Sequence, residues 1–121
     1  MSYVDGYILP LPENNIEAYR EMAQLAGSVW MEHGALAYKE CIGEDLESEW
    51  ADGAFLRAVN AKPGEKVIFA FILFESREHR DEVNAKVHDD PRMIALGDME
   101  DSMPFDGNRM TYGGFETLVD L

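Results

Sequence analysis

The stretch VIFAFILF, residues 67–74, carries the strongest strand signal in the chain. Its two alternating sets are Val67, Phe69, Phe71 and Leu73 on one side and Ile68, Ala70, Ile72 and Phe74 on the other. Successive side chains of a strand point to opposite faces, so both faces of this strand are apolar and both need cover. The surrounding elements decide what that cover is.

Upstream, YVDGYIL (residues 3–9) is rich in aromatic and β-branched residues and is expected to be a first strand that stops at Pro10 and Pro12. Asn14, with Glu17 three residues on, is the expected N-cap of a long helix. Ile16, Tyr19, Ala23, Ala26, Trp30 and His33 recur along it at helical spacing, and Gly34 is its natural stop. ALAYKECI (35–42) reads as a second, short strand. Downstream of VIFAFILF, Ser76 caps a second helix running to about Asp89, with Val83 and Val87 inward. Asp90-Pro91 ends it and opens a further helical stretch in RMIALGDMED. The closing strand is expected from about Arg109 to Leu118.

This order, β-α-β-β-α-β, is the ferredoxin-like plan: an α+β fold whose four-stranded antiparallel sheet carries both helices on one face. One apolar sheet face is then left uncovered, and a second copy of the chain is the simplest lid. The sequence therefore predicts a homodimer joined through the open sheet face, a dimeric α+β barrel. Residues 1–121 are expected to form one domain, in which residues 43–66, opening with GEDLESEWADG and closing at Pro63-Gly64, form an acidic insert with a short element near AFLRAVNA.

Charge narrows the partners. The chain has 24 acids against 10 bases, a net charge of −14, which disfavours nucleic acid and anionic membrane surfaces alike. No run approaches the roughly 20 apolar residues of a membrane span. The opening MSYVDGYILP has no basic region and does not read as a signal peptide. A single cysteine, Cys41, excludes an internal disulfide and fits a reducing, cytoplasmic setting.

Several segments together carry a resemblance: SYVDGYILPLP at the start, VWMEHGAL with YKEC just after, SREHRDEVNAKV, and MPFDGNRMTYGGFE near the end. Along nearly its whole length the chain resembles the YbaA-like family, small bacterial proteins of unknown function with the dimeric α+β-barrel fold. The resemblance implies fold and dimer but little chemistry. The wider superfamily contains cofactor-free monooxygenases, lactone isomerases and heme-degrading enzymes, an analogy of fold alone.

The candidate site residues are weighed on their own positions. His33 ends the apolar stripe of the first helix, where it is either a general base or a ring packed on Trp30 with its charge favoured by the helix dipole. Asp5 lies mid-strand in phase with Tyr3 and Tyr7. If Val4 and Ile8 face the helices, Asp5 faces the space between the two sheets of the dimer and becomes a second candidate for proton transfer; otherwise it reaches solvent or pairs with Lys39. Lys39 and Glu40 alternate, so only one of them can share that space. Arg109 either clamps an anionic substrate or pairs with a structural carboxylate or the partner subunit. Tyr7, Phe105 and Tyr112 complete the expected binding wall, and Gly113-Gly114 open a bulge, a close backbone approach or a pocket. The three histidines lack ligand spacing, so no metal is expected, and no motif calls for a cofactor. Two functions remain: a cofactor-free binder or converter of a small aromatic or enolisable molecule, and a non-catalytic dimeric interaction module.

Overall fold

The computed structural model describes residues 1–121, the side chain of Glu100 excepted. The elements are β1 (Tyr3–Pro12), α1 (Ile16–Glu32, entered through a 3-10 turn at Glu13–Asn15), β2 (Ala37–Ile42), α2 (Phe55–Ala58), β3 (Glu65–Phe74), α3 (Arg77–His88), α4 (Pro91–Gly97) and β4 (Thr111–Glu116). The four strands form one antiparallel sheet in the order β2-β3-β1-β4, as the ferredoxin-like plan requires.

β1 does not stop at its prolines. It pairs with β3 over its whole length, with Pro10 opposite Val67 and Pro12 opposite Glu65. On its other flank, pairing with β4 ends at Ile8, opposite Thr111. Residues beyond Ile8 therefore have an unpaired flank, toward which a proline can turn the position where an N–H is missing without breaking a ladder bond.

α1 also starts differently from expectation. Its N-cap is Asn15, and that side chain makes no capping bond; Asn15 Nδ2 instead donates to the Pro104 carbonyl (2.8 Å), tying the helix start to the chain entering β4. The C-terminus follows expectation. Gly34 adopts φ +114°, Gly34 N–H bonds Met31 O and Ala35 N–H bonds Trp30 O, so the last carbonyls are satisfied by a glycine-centred reversal. α3 is capped as expected, the Ser76 hydroxyl accepting from His79 N–H (3.0 Å), and Asp90 caps α4 through Arg92 N–H (2.9 Å).

The register assigns the sheet faces. Ile68, Ala70, Ile72 and Phe74 of β3 are buried beneath the helices, and Val29, Val83 and Val87 pack with Ile72 and Phe74. Their cross-strand partners Leu9, Tyr7, Asp5 and Tyr3 share this face. Val4, Gly6, Ile8, Phe69, Phe71, Leu73 and Phe115 therefore lie on the opposite face, where Phe69 is 45% and Phe115 62% exposed. Part of that face is covered by the chain itself: Phe55 of α2 meets the Phe69 ring edge-on at 6.2 Å.

β4 runs in unbroken register against β1 from Thr111 to Glu116, so Gly113-Gly114 form no bulge. The glycines make room for rings. The Phe115 ring lies over Gly6 and Gly113 on the open face, while Tyr3 crosses Gly114 on the helical face, its hydroxyl occupying the place a Cβ would take.

Candidate functional site

The helix-covered face of the sheet is less apolar than its strands suggest. One row across it reads Tyr112, Tyr7, Ala70 and Glu40; the next reads Gly114, Asp5, Ile72 and Tyr38. Polar groups thus lie at both margins of the face, with small or apolar residues between them.

At the β1–β4 margin, Asp5 is completely buried, with its carboxylate turned toward α3. Arg80 Nη1 donates to Asp5 Oδ1 (2.7 Å) and to the Tyr112 hydroxyl (3.0 Å), Asn84 Nδ2 donates to Asp5 Oδ2 (3.3 Å), and the Arg80 guanidinium stacks over Tyr3. The alternative in which Asp5 faces a space between two sheets is thereby overturned, since Val4 and Ile8 occupy the open face. Pairing with Lys39 is overturned too, because Lys39 stands opposite Phe71 on that open face. The physical reason is compensation. A buried carboxylate needs a partner, and α3 supplies a guanidinium and an amide. Tyr7 and Tyr112 lie beside this network, rings 4.9 Å apart, and burial followed by the nearby Asp5 charge pushes both phenols above their ordinary range.

At the β2 margin, α1 and β2 bound a groove of about 630 Å³. Its inner wall holds Glu40 between two tyrosines: Tyr19 O–H donates to Oε1 (2.7 Å) and Tyr38 O–H to Oε2 (2.6 Å). Burial, then the Glu40 charge, raises both phenols, so they stay protonated and act as donors. Gly27 of α1 lets the helix approach: a Cβ there would stand 2.7 Å from the Tyr38 ring. Trp30 stacks on Tyr38 at 6.1 Å, and its Nε1 donates to Asn84 Oδ1 (2.9 Å). The Asp5 network and the Glu40 wall are thereby linked through Asn84, Trp30 and Tyr38.

Of the residues singled out from sequence, Asp5, Tyr7 and Tyr112 come together, but beside α3 and not in the groove. Phe105 packs edge-on to Tyr19 at 5.6 Å, behind the groove wall. His33 is neither with Asp5 nor packed alone on Trp30. Its Nε2 is 2.9 Å from Asp90 Oδ2, and Arg92 binds the same carboxylate, which these two partners hold well below the usual range. Arg109 ends the turn Gly107–Arg109 and does not open the strand; its guanidinium grips Glu65 through two bonds (2.6 and 2.9 Å) and reaches Asn60 O (2.9 Å). Of its possible partners, the structural carboxylate is the one present. Tyr19, Tyr38 and Glu40 are not among the site residues expected from the sequence, although Glu40 is one of the two residues of β2 weighed for the space beside Asp5. Their signal is polar groups at inward-facing positions, Tyr19 on the stripe of α1 and the i, i+2 pair Tyr38 and Glu40 on one face of β2.

Among the described residues, no three His, Cys, Asp or Glu side chains converge as a metal site would need, and no helix is long and apolar enough to cross a membrane.

Solved structures share this architecture at low sequence identity. A putative antibiotic biosynthesis monooxygenase from Nitrosomonas europaea aligns with a TM-score of 0.55 at 12% identity, over 97% of this chain and 90% of its own. A dimeric ferredoxin-like protein from an uncultured marine organism aligns with a TM-score of 0.57 at 9% identity, over 100% and 98%. In sequence, the uncharacterized protein YbaA of Escherichia coli K12 is 45% identical over 121 residues, 99% of both chains, and the YbaA of Shigella flexneri matches equally. Residues 2–107 match the family of proteins of unknown function DUF1428, and with the full-length likeness to YbaA this shows that the chain belongs to that family.

Proposed function

We propose that the protein is a cytoplasmic homodimer, joined through the open sheet face, in which each subunit binds a small organic molecule in the α1–β2 groove without a cofactor. The observation that carries this reading is Glu40, held between the Tyr19 and Tyr38 hydroxyls on the wall of a groove of about 630 Å³. That volume lies within the range of small-molecule sites, and a few fixed polar groups on a largely apolar lining are how such sites orient a ligand. His33 is bonded to Asp90 and Asp5 to Arg80, and neither lines the groove, so the reading commits to binding and assigns neither of them a proton-transfer step. The isomerase and monooxygenase chemistry of the wider fold remains an analogy of architecture. The dimer is supported by the exposed Phe69 and Phe115 and by the dimeric neighbour of the same fold.

One observation favours the second reading, a non-catalytic interaction module. Trp50, in the acidic segment between β2 and α2, is 98% exposed, as a partner-anchoring side chain would be.

Protein-observed NMR with a library of small aromatic and enolisable compounds separates the two readings. Shifts gathered on the amides of Ala23, Gly27, Tyr38 and Cys41 are expected. A library that moves none of these amides overturns the groove as a ligand site.

A further inference from the structure

The charge around the groove identifies the kind of ligand it accepts. Glu40 is the acid on its wall, and two cationic residues border it. Arg20, exposed on α1, is bonded to Glu17, one turn earlier on the same helix. Lys39 belongs to the row opposite Phe71, so its side chain starts toward the other face of the sheet. Arg20 is thus already paired with a carboxylate, and Glu40 is the charged group that hydrogen bonds fix on the inner wall.

An ionised carboxylate has about four acceptor sites, and the two tyrosines take one on each oxygen. The remaining sites can accept from a ligand donor. The hydroxyls of Tyr19 and Tyr38 meet that carboxylate as donors, while the rings are packed within the protein, Tyr19 buried against Phe105 and Tyr38 stacked with Trp30. A carboxylate with free acceptor sites holds an ammonium through charge-assisted hydrogen bonds and repels an anion. Away from Glu40 the lining combines apolar Leu11, Ala23 and Ile68 with the uncharged polar Gln24 and Ser28. A net charge of −14 adds a long-range field of the same preference.

We propose that the groove selects a protonated amine carried on an apolar or aromatic body, with the ammonium on Glu40 and the body along α1. This rests on the reading of the groove as the ligand site.

The test uses three probes of matched size on the full-length protein: phenethylamine, phenethyl alcohol and hydrocinnamate, titrated by calorimetry at neutral pH and low salt. Phenethylamine is expected to bind at least about tenfold tighter than either of the others, and Glu40→Gln is expected to abolish that preference. Added salt should weaken the amine and leave the alcohol unchanged. Gln24→Trp, which places a large side chain on the groove-facing side of α1, should weaken whichever probe binds. If the alcohol or the acid binds as well as the amine, and Gln24→Trp weakens it, the cation preference is overturned while the groove stands. If no probe binds, or Gln24→Trp leaves every affinity unchanged, the groove itself is overturned as the site.

Discussion

Gly27 stands in the middle of a 17-residue helix, where glycine is about 1 kcal/mol less favourable than alanine. Intrinsic propensity therefore expects Gly27→Ala to stabilise the protein. Packing opposes it: the new Cβ would stand 2.7 Å from two ring carbons of Tyr38, and that ring is held by Trp30 stacked on it and by Glu40 at its hydroxyl. Overpacking of this kind costs about 1–3 kcal/mol, which outweighs the helix gain. Gly27→Ala is expected to lower the denaturant midpoint by a net destabilisation of up to about 2 kcal/mol. A raised midpoint would show that Tyr38 is free to move. Nothing in the local sequence distinguishes Gly27 from a small core residue, because its reason lies across the groove on β2. Asp5 is comparable. Its phase along β1 was legible, but which face that phase occupied depended on Arg80, 75 residues away.

Ties between elements are made chiefly by arginines. Arg109, in the turn before β4, fastens that turn to Glu65 at the start of β3 and to the Asn60 carbonyl. The Glu65 carboxyl, which also accepts from Lys62 N–H, is held down at about 2, first by Arg109 and then by that amide. A carboxylate depressed in the folded state adds stability above its ordinary titration range and loses it as pH falls toward the folded value. Wild-type stability should therefore decline between about pH 4.5 and pH 2 in part through Glu65. Arg109→Ala should be less stable at neutral pH and show a shallower decline over that interval, measured as urea midpoints against pH. An unchanged slope would mean that Glu65 does not depend on Arg109. At the other end, His33 and Arg92 share Asp90, and Arg92 also reaches Glu32, fastening the end of α1 to the start of α4. Local signals located most of these elements: Ser76, Asp90 and Gly34 all act as the boundaries their residue types imply. They failed at the prolines of β1 and at the cap of α1, where the outcome depended on the length of β4 and on the Pro104 carbonyl.

Across the whole molecule the sheet has one face under helices and one face where Ile8, Phe71, Leu73 and Phe115 are only partly covered or exposed. The face-to-face homodimer proposed above would bury it. Sedimentation velocity should show a dimer at micromolar concentration, and Phe71→Glu, which places a charge at the centre of that face, should give a folded monomer with unchanged far-UV circular dichroism. A monomeric wild-type protein would contradict the dimer. The α1–β2 groove lies on the other side of the sheet, so a monomeric Phe71→Glu should retain ligand binding there.

The amino-acid sequence by itself determined the element order, the ferredoxin-like sheet and the surplus apolar face, because alternation and helical spacing are local and both alternating sets of VIFAFILF are apolar. It also placed most helix boundaries, which depend on backbone groups within one turn. Only the tertiary structure decided which phase of β1 met the helices, whom Arg109 and His33 would pair with, and that Tyr19, Tyr38 and Glu40 converge on one groove. Each of those outcomes is a contact between side chains far apart in sequence, and its energy exists only once the sheet has set the register and the helices have docked on it.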